Sequence, residues 1–225
     1  MKTSPALRRP LLGLAVLVLI LGPGCARAPE RLPTGPPGPS PVGPDSFVVA
    51  LESTQGRFVV SVHRDWAPLA ADRVYDLVRR KVYDDIRVFR VVSSYVAQFG
   101  LTGDSAVNRA WAARGLPDEP VLQPNTRGRV AFARGGPQTR SMQIFIDLGN
   151  NSPRLDTLTA SGVVGYPPFG EVVEGMDLVD RFYAEYGNAP SRQQDSIRAL
   201  GNAWLDRVYP RLDRIVSAAV IREWR

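Results

Sequence analysis

The chain has 225 residues, 44% of them hydrophobic, which suits one sizeable globular domain and argues against wholesale disorder. Its net charge of +6 comes from 28 basic and 22 acidic residues of mixed order, as in Arg79-Arg80-Lys81 before Asp84-Asp85, so the one-signed stripe that nucleic acid demands is missing. One cysteine, Cys25, and one histidine, His63, exclude an internal disulfide framework, a Cys/His zinc site and a Cys–His dyad between neighbours, while a serine triad would need His63, which ends an alternating run and reads as a strand-edge residue.

Residues 1–10 carry Lys2, Arg8 and Arg9 and no acid, and residues 11–21 are an unbroken apolar run. Spanning a bilayer takes ~20 apolar residues, so the run is short for a permanent transmembrane helix and has the plan of a secretory signal. Gly22-Pro23-Gly24 breaks any helix and leads to Cys25, which resembles the acylated cysteine of bacterial lipoproteins, although Gly22 stands where Leu is usual. Ordinary cleavage after Ala28, with Pro29 next, and an uncleaved anchor are the competing readings. The expected division is a signal peptide over 1–24, a lipid-anchor cysteine and Pro/Gly-rich linker over 25–45, and a folded domain over 46–225. The linker's prolines and glycines cannot supply a ladder of backbone donors, so it reads as an extended spacer.

Phe47–Leu51 and Arg57–Val62 alternate on either side of Ser53-Thr54-Gln55-Gly56, which predicts a hairpin. Pro68 suits the first turn of a helix whose apolar face runs through Ala70, Ala71, Val74, Leu77 and Val78 to about Lys81. Short strand-like runs follow at 86–92, 95–99, 128–133, 142–148 and 169–173. A second helix is predicted over 175–185, with Leu178, Val179, Phe182 and Tyr183 on its face. A third is predicted over 192–208, with Ile197, Leu200, Trp204 and Val208, before Pro210 and a closing strand over 215–221. Many short strands with few helices imply a closed antiparallel sheet.

Three segments stand out: Val88-Phe89-Arg90-Val91-Val92-Ser93-Ser94-Tyr95-Val96-Ala97-Gln98-Phe99-Gly100, the run Gly128 to Ile146 containing Phe132-Ala133-Arg134-Gly135-Gly136-Pro137 and Ser141-Met142-Gln143-Ile144-Phe145-Ile146, and Pro168-Phe169-Gly170-Glu171-Val172-Val173-Glu174-Gly175-Met176. Together, in order and spacing, they resemble the signature stretches of the cyclophilins over about 47–183, and the closing strand resumes the resemblance. The resemblance implies a mainly-β, closed eight-stranded antiparallel barrel with two capping helices, with residues 185–212 as a helical insertion carrying one extra helix. It implies a peptidyl-prolyl cis/trans isomerase. Arg90 takes the family's catalytic position, with Gln98 as the glutamine that steadies it. Tyr95, Val96, Phe132, Phe145 and Leu155 take the apolar proline pocket, and Gln143, Ala133 and Arg134 the groove, Arg134 replacing an asparagine. Tyr166 corresponds to a pocket histidine and Arg154 to a tryptophan that favours cyclosporin, so weak cyclosporin binding is expected. Phe89 replaces a histidine and Phe99 a glycine.

The chemistry suits these residue types. An X–Pro bond isomerises slowly because its resonance must be broken, a barrier of ~18–20 kcal/mol. At the twisted state the proline nitrogen regains a lone pair, and a permanently charged guanidinium aimed at it stabilises that state over either planar one. No bond is cleaved, so no nucleophile, metal or other cofactor is required. The expected partners are proline-containing polypeptide clients among exported proteins, met by a monomer tethered through Cys25 to a membrane and facing the periplasm or cell exterior. The alternative is a catalytically weak or inactive binding or chaperone module on the same fold.

Overall fold

The computed structural model describes residues 40–225 together with Met1 and Gly38. Cys25, the apolar run 11–21 and the remainder of the segment up to 37 lie outside the described residues. Among the described residues no helix is long and apolar enough to cross a membrane. The last linker residues are bonded to the domain: Asp72 Oδ1 accepts from the Gly43 amide at 2.8 Å, and Ser40 Oγ from Arg73 Nε at 2.9 Å.

The opening hairpin is β1, Ser46–Ser53, and β2, Gly56–His63, in register from Ser46 opposite His63 to Ser53 opposite Gly56. Gly56 takes the positive φ of 121° that the tight turn requires. His63 ends β2 stacked 4.2 Å from the Trp66 ring. Helix α1, Pro68–Arg79, starts on proline and buries Ala70, Ala71, Val74, Leu77 and Val78 against the sheet.

Then come β3 (Ile86–Arg87), β4 (Arg90–Val92), β5 (Val96–Phe99), α2 (Ser105–Ala112), β6 (Arg129–Phe132) and β7 (Ile144–Asp147). One-turn α3 (Ser152–Leu155), the small ribbon of β8 (Thr159–Ala160) and β9 (Val163–Val164), and β10 (Pro168–Glu174) follow. The chain ends with one-turn α4 (Met176–Val179), a 3-10 turn over Pro190–Gln193, α5 (Gln194–Val208) and β11 (Arg214–Trp224).

The main sheet is antiparallel and curls around the core in the order β3-β11-β1-β2-β10-β6-β7-β5-β4. The expectation of eight strands is corrected to nine among the described residues, because the predicted strand 86–92 is interrupted. Val88 and Phe89 are both fully buried, Val88 in the main core and Phe89 in a second apolar cluster, which defeats the two-residue alternation of a strand. The sheet therefore begins and ends on β3 and β4, the two pieces of that segment.

The main core gathers Phe47, Phe58, Tyr83, Phe99, Phe132, Ile146 and Phe169 between the sheet and α1. The second cluster holds Phe89, Leu101, Ile197, Leu205 and Tyr209 and seats α5. The predicted helix 175–185 is corrected to the single turn of α4. The Tyr183 amide donates to the Asp213 carboxylate at 2.6 Å instead of to a helical carbonyl, and Phe182 turns into the core edge-on to Phe58. Helix α2 has no counterpart among the elements expected from sequence. Asp104 caps it, accepting from Ala106 N at 2.7 Å and Val107 N at 3.3 Å. Helix α5 is kinked at Gly201, whose φ is 64° and where a Cβ would stand 2.2 Å from the Gly103 carbonyl.

Candidate active site

The site is built on the outer face of the curled sheet, and strand alternation decides which side chains reach it. Arg90 on β4 lies opposite Gln98 on β5, Gln98 opposite Phe145 on β7, and Phe145 opposite Ala131 on β6. Partners across a sheet share a face, so these four residues form one row. Their neighbours Val91, Ala97, Phe99, Val130, Phe132, Ile144 and Ile146 point the other way, into the main core.

Val96, Ala131, Phe145 and Leu155 are buried together under partly exposed Tyr95, Ala133 and Tyr166 and form an apolar floor. Leu155 comes from α3. Tyr166 follows the small ribbon, donates its amide to the Leu155 carbonyl at 2.9 Å, and meets Phe145 edge-on at 5.8 Å. Arg134 clips the same loop. Its Nε and Nη2 donate to the Gly165 carbonyl at 3.1 and 3.0 Å, and its guanidinium lies 4.7 Å from the Tyr166 ring centroid.

A pocket of about 160 Å³ opens above this floor, lined by Arg90, Tyr95, Val96, Gln98, Ala133, Arg134, Phe145, Leu155, Tyr166 and Gln194. Arg90 is half-buried. Its Nε donates to Asn188 Oδ1 at 2.7 Å and its Nη1 to Gln98 Oε1 at 3.1 Å. Its carbon centre is 5.5 Å from the Tyr95 ring centroid, and exposed Arg154 lies at the same 5.5 Å from that ring. Burial lowers the pKa of Arg90 from the ordinary guanidinium value, the nearby tyrosines oppose that shift and Arg154 adds to it. A guanidinium starts so high that it keeps its charge at any physiological pH.

Beyond Gln98 the polar contacts continue. Gln98 Nε2 donates to Gln143 Oε1 at 3.0 Å, and Gln143 lines an adjoining pocket of about 410 Å³ that shares Gln98, Ala133, Arg134 and Gln194 with the first. The arrangement offers a fixed positive charge beside a small apolar slot and, next to it, a roomier pocket edged with amides and arginines. Among the described residues no cluster of acid, histidine or cysteine side chains could hold a metal.

The structure brings together Arg90, Gln98, Tyr95, Val96, Ala133, Arg134, Phe145, Leu155 and Tyr166, and sets Gln143 in the adjoining pocket. Phe132 is the correction. It is fully buried, lies 5.3 Å from the Phe169 ring, and lines neither pocket, because its strand neighbours Ala131 and Ala133 hold the outward positions. Phe99 likewise stays out of the slot, edge-on to Tyr83 in the core. Cys25 lies outside the described residues. Sequence reasoning missed Asn188 and Gln194. Both sit in the segment 185–212 and reach the site from 98 and 51 residues away along the chain, a distance no local pattern signals.

Comparison with known proteins gives a consistent result. The family model "Cyclophilin type peptidyl-prolyl cis-trans isomerase/CLD" matches residues 48–202. A peptidyl-prolyl cis-trans isomerase of Acinetobacter baylyi is 27% identical over 154 residues, covering 64% of this chain and 80% of its own. Peptidyl-prolyl cis-trans isomerase B of Escherichia coli is 26% identical over 187 residues, covering 78% of this chain and all of its own. Among solved structures, a cyclophilin from Hirschia baltica superposes with a TM-score of 0.57 at 18% identity, covering 80% of this chain and 75% of its own. A cyclophilin-type isomerase from Cryptosporidium parvum does so with a TM-score of 0.53 at 16% identity, covering 79% of this chain and 99% of its own. These likenesses carry the mainly-β fold.

Proposed function

Since the chain belongs to the cyclophilin-type peptidyl-prolyl cis/trans isomerase family, we propose that it turns X–Pro bonds in the pocket beside Arg90. The proline ring enters the slot floored by Val96, Phe145 and Leu155, and Tyr95 and Tyr166 flank it. Arg90 is the catalytic residue. Its guanidinium, held by Asn188 at Nε and by Gln98 at Nη1, is the charged donor offered to the client's imide nitrogen. The planar cis and trans states hold that nitrogen's lone pair in resonance, while the twisted state releases it. The guanidinium therefore favours the twisted state selectively, as catalysis requires. Gln98 orients Arg90 and offers its amide to the client's backbone. The same reading treats the curled sheet as a closed barrel in function, because its end strands β3 and β4 are consecutive in the chain.

The observation that carries this is a guanidinium pinned at two atoms over an apolar floor. A protease-coupled or NMR exchange measurement on a short proline peptide tests it, with the full chain beside Arg90→Ala. Loss of one pre-organised electrostatic donor is expected to lower kcat/KM by about 10²–10³-fold. A variant within about twofold of wild type would remove Arg90 from the role. Cyclosporin is expected to bind weakly, because exposed Arg154 takes the place where the family often has tryptophan.

We further propose that the protein is exported and tethered at Cys25, with exported polypeptides as clients. The support is the sequence order: basic residues, a short apolar run, a cysteine, then a Pro/Gly-rich spacer. One acyl chain binds membranes only marginally and two or more hold stably. Wild type should therefore partition into the detergent phase in cells while Cys25→Ala stays aqueous. Aqueous wild type would end the tether.

A further inference from the structure

We infer that Asn188 and Gln194, both in the insertion 185–212, are positioning residues for Arg90, so that the insertion is a working part of the active site; this rests on the assignment of Arg90 proposed above. A polar relay crosses the site and both of its ends lie in the insertion. At one end Arg90 Nε donates to Asn188 Oδ1 at 2.7 Å. In the other direction Arg90 Nη1 donates to Gln98 Oε1 at 3.1 Å, Gln98 Nε2 to Gln143 Oε1 at 3.0 Å, and Gln143 Nε2 to Gln194 Oε1 at 3.1 Å. Gln194 Oε1 also accepts from Arg198 Nη2 at 2.8 Å.

The polarity of this relay is forced by its charged member. A guanidinium has donors only, so Asn188 and Gln98 must turn their oxygens to it. Gln98 gives its N–H to Gln143 Oε1 and Gln143 gives its own to Gln194 Oε1, so the relay runs in one direction away from Arg90. Arg198, a second donor-only group, fixes Gln194 in that orientation. Gln98 and Gln143 are thus bracketed by residues of the insertion at both ends of the relay.

The cap position of the 3-10 turn Pro190–Gln193 is Ala189, and the Asn188 side-chain oxygen one residue earlier goes to Arg90. The insertion is held firmly enough to act as a clamp. Phe89 and Leu101 form the apolar seat for Ile197, Leu205 and Tyr209, and Arg87 donates through Nε and Nη2 to both carboxylate oxygens of Asp206 at 2.7 Å. Phe89 immediately precedes Arg90, so the residue that seats the insertion adjoins the residue the insertion holds.

The test combines kinetics with NMR on the full chain. Without its second bond Arg90 gains freedom at the reacting atom, so Asn188→Ala is expected to lower kcat about tenfold with KM within about twofold of wild type. The thermal midpoint should be unchanged within error. Gln194→Ala should lower kcat by a smaller factor, about threefold, because it frees Arg90 only through two intervening amides. The Arg90 Nε–H resonance should exchange slowly with water in wild type, rapidly in Asn188→Ala, and slowly again in Asn188→Asp, which keeps an acceptor oxygen. An active wild type whose Asn188→Ala variant keeps its kcat, or whose Arg90 Nε–H exchange is the same in all three proteins, overturns the inference and leaves the proposed function standing. A wild type without isomerase activity overturns both.

Discussion

Asp147 ends β7 fully buried, opposite Val96 of the pocket floor. Its Oδ1 accepts from Asn151 Nδ2 at 2.6 Å, and its Oδ2 is buried with no hydrogen-bond partner. Removal from water pushes its pKa up to about 7, Asn151 opposing and the charge of Asp156 adding to the rise. A carboxyl in an unfolded chain titrates near ~3.9, so between those values the folded state holds a proton that the unfolded state has released. Stability from this group is therefore full below about pH 4 and is lost as pH rises through about 7. Urea unfolding from pH 4.5 to 8 should show a loss on the order of 2–4 kcal/mol at the upper end, and Asp147→Asn should flatten that slope. An unchanged slope in the variant would move the titration elsewhere. Asn151 also donates to the Tyr95 carbonyl at 2.7 Å, so the same small network braces the turn that carries Tyr95. At this scale the sequence was legible where a motif fixed both identity and spacing, as for Arg90, Gln98 and Phe145. It misled at Phe132, and the signal was present: Phe132 and Ala133 are adjacent on an extended segment and cannot both face one groove. Asn188 was illegible because an asparagine followed by Ala-Pro looks like an ordinary turn until the fold brings it against Arg90.

Helix α5 and the segment leading to it show what one apolar substitution does for an element. Phe89 stands where the family carries histidine, and it is fully buried against Leu101, Ile197, Leu205 and Tyr209. Phe89→Ala is expected to cost about 3–5 kcal/mol through lost transfer energy and the cavity left behind. Although Phe89 lines neither pocket, the variant should also lose isomerase activity, because α5 and its leader carry Gln194 and Asn188. Guanidinium unfolding and peptide isomerisation on the same samples check both halves. Activity retained alongside the stability loss would uncouple the insertion from the site. The hairpin, α1 and the closing strand were readable because alternation or helical spacing persisted for most of their length. The 175–185 helix was not, since its apolar spacing is real but beyond Val179 the Arg181 and Phe182 amides tighten to the carbonyls three residues back and the Tyr183 amide goes to Asp213, remote in sequence. The α2 signal was local, Asp104 as cap and Val107 and Trp111 one turn apart on the buried side, and was obscured by the helix's length of only eight residues.

For the molecule as a whole, family and fold class were legible because three motifs kept their order over most of the domain. The helix near the C-terminus could be read from its apolar spacing but not placed, because its docking depends on tertiary contacts with β3, Phe89, Leu101 and α2. Its arrival brings charge. The two pockets are lined by Arg90, Arg134 and Arg198 and by no aspartate or glutamate, and Arg154 stands at the rim over Tyr95. Among the described residues Arg90, Arg134 and Arg154 lie in no ion pair, and Arg198 pairs at 3.2 Å with an Asp195 whose side chain is fully exposed. Apolar walls with one sign of charge concentrate the field in a cleft. A client with glutamate beside its proline should therefore bind better than the same peptide with lysine there. At low ionic strength KM for the glutamate peptide is expected to be about 3–10-fold lower, which is ~0.7–1.4 kcal/mol, with kcat nearly unchanged because the charge acts on both ground and twisted states. Screening shortens from ~30 Å at 0.01 M salt to ~3 Å at 1 M, so the two KM values should converge as salt is added. Arg198→Gln should reduce the difference while leaving the alanine-flanked peptide least affected, since that peptide presents no charge for Arg198 to meet. Equal KM values at low salt, or a preference for lysine, would show that the arginines are screened by their own surroundings and take no part in choosing the client.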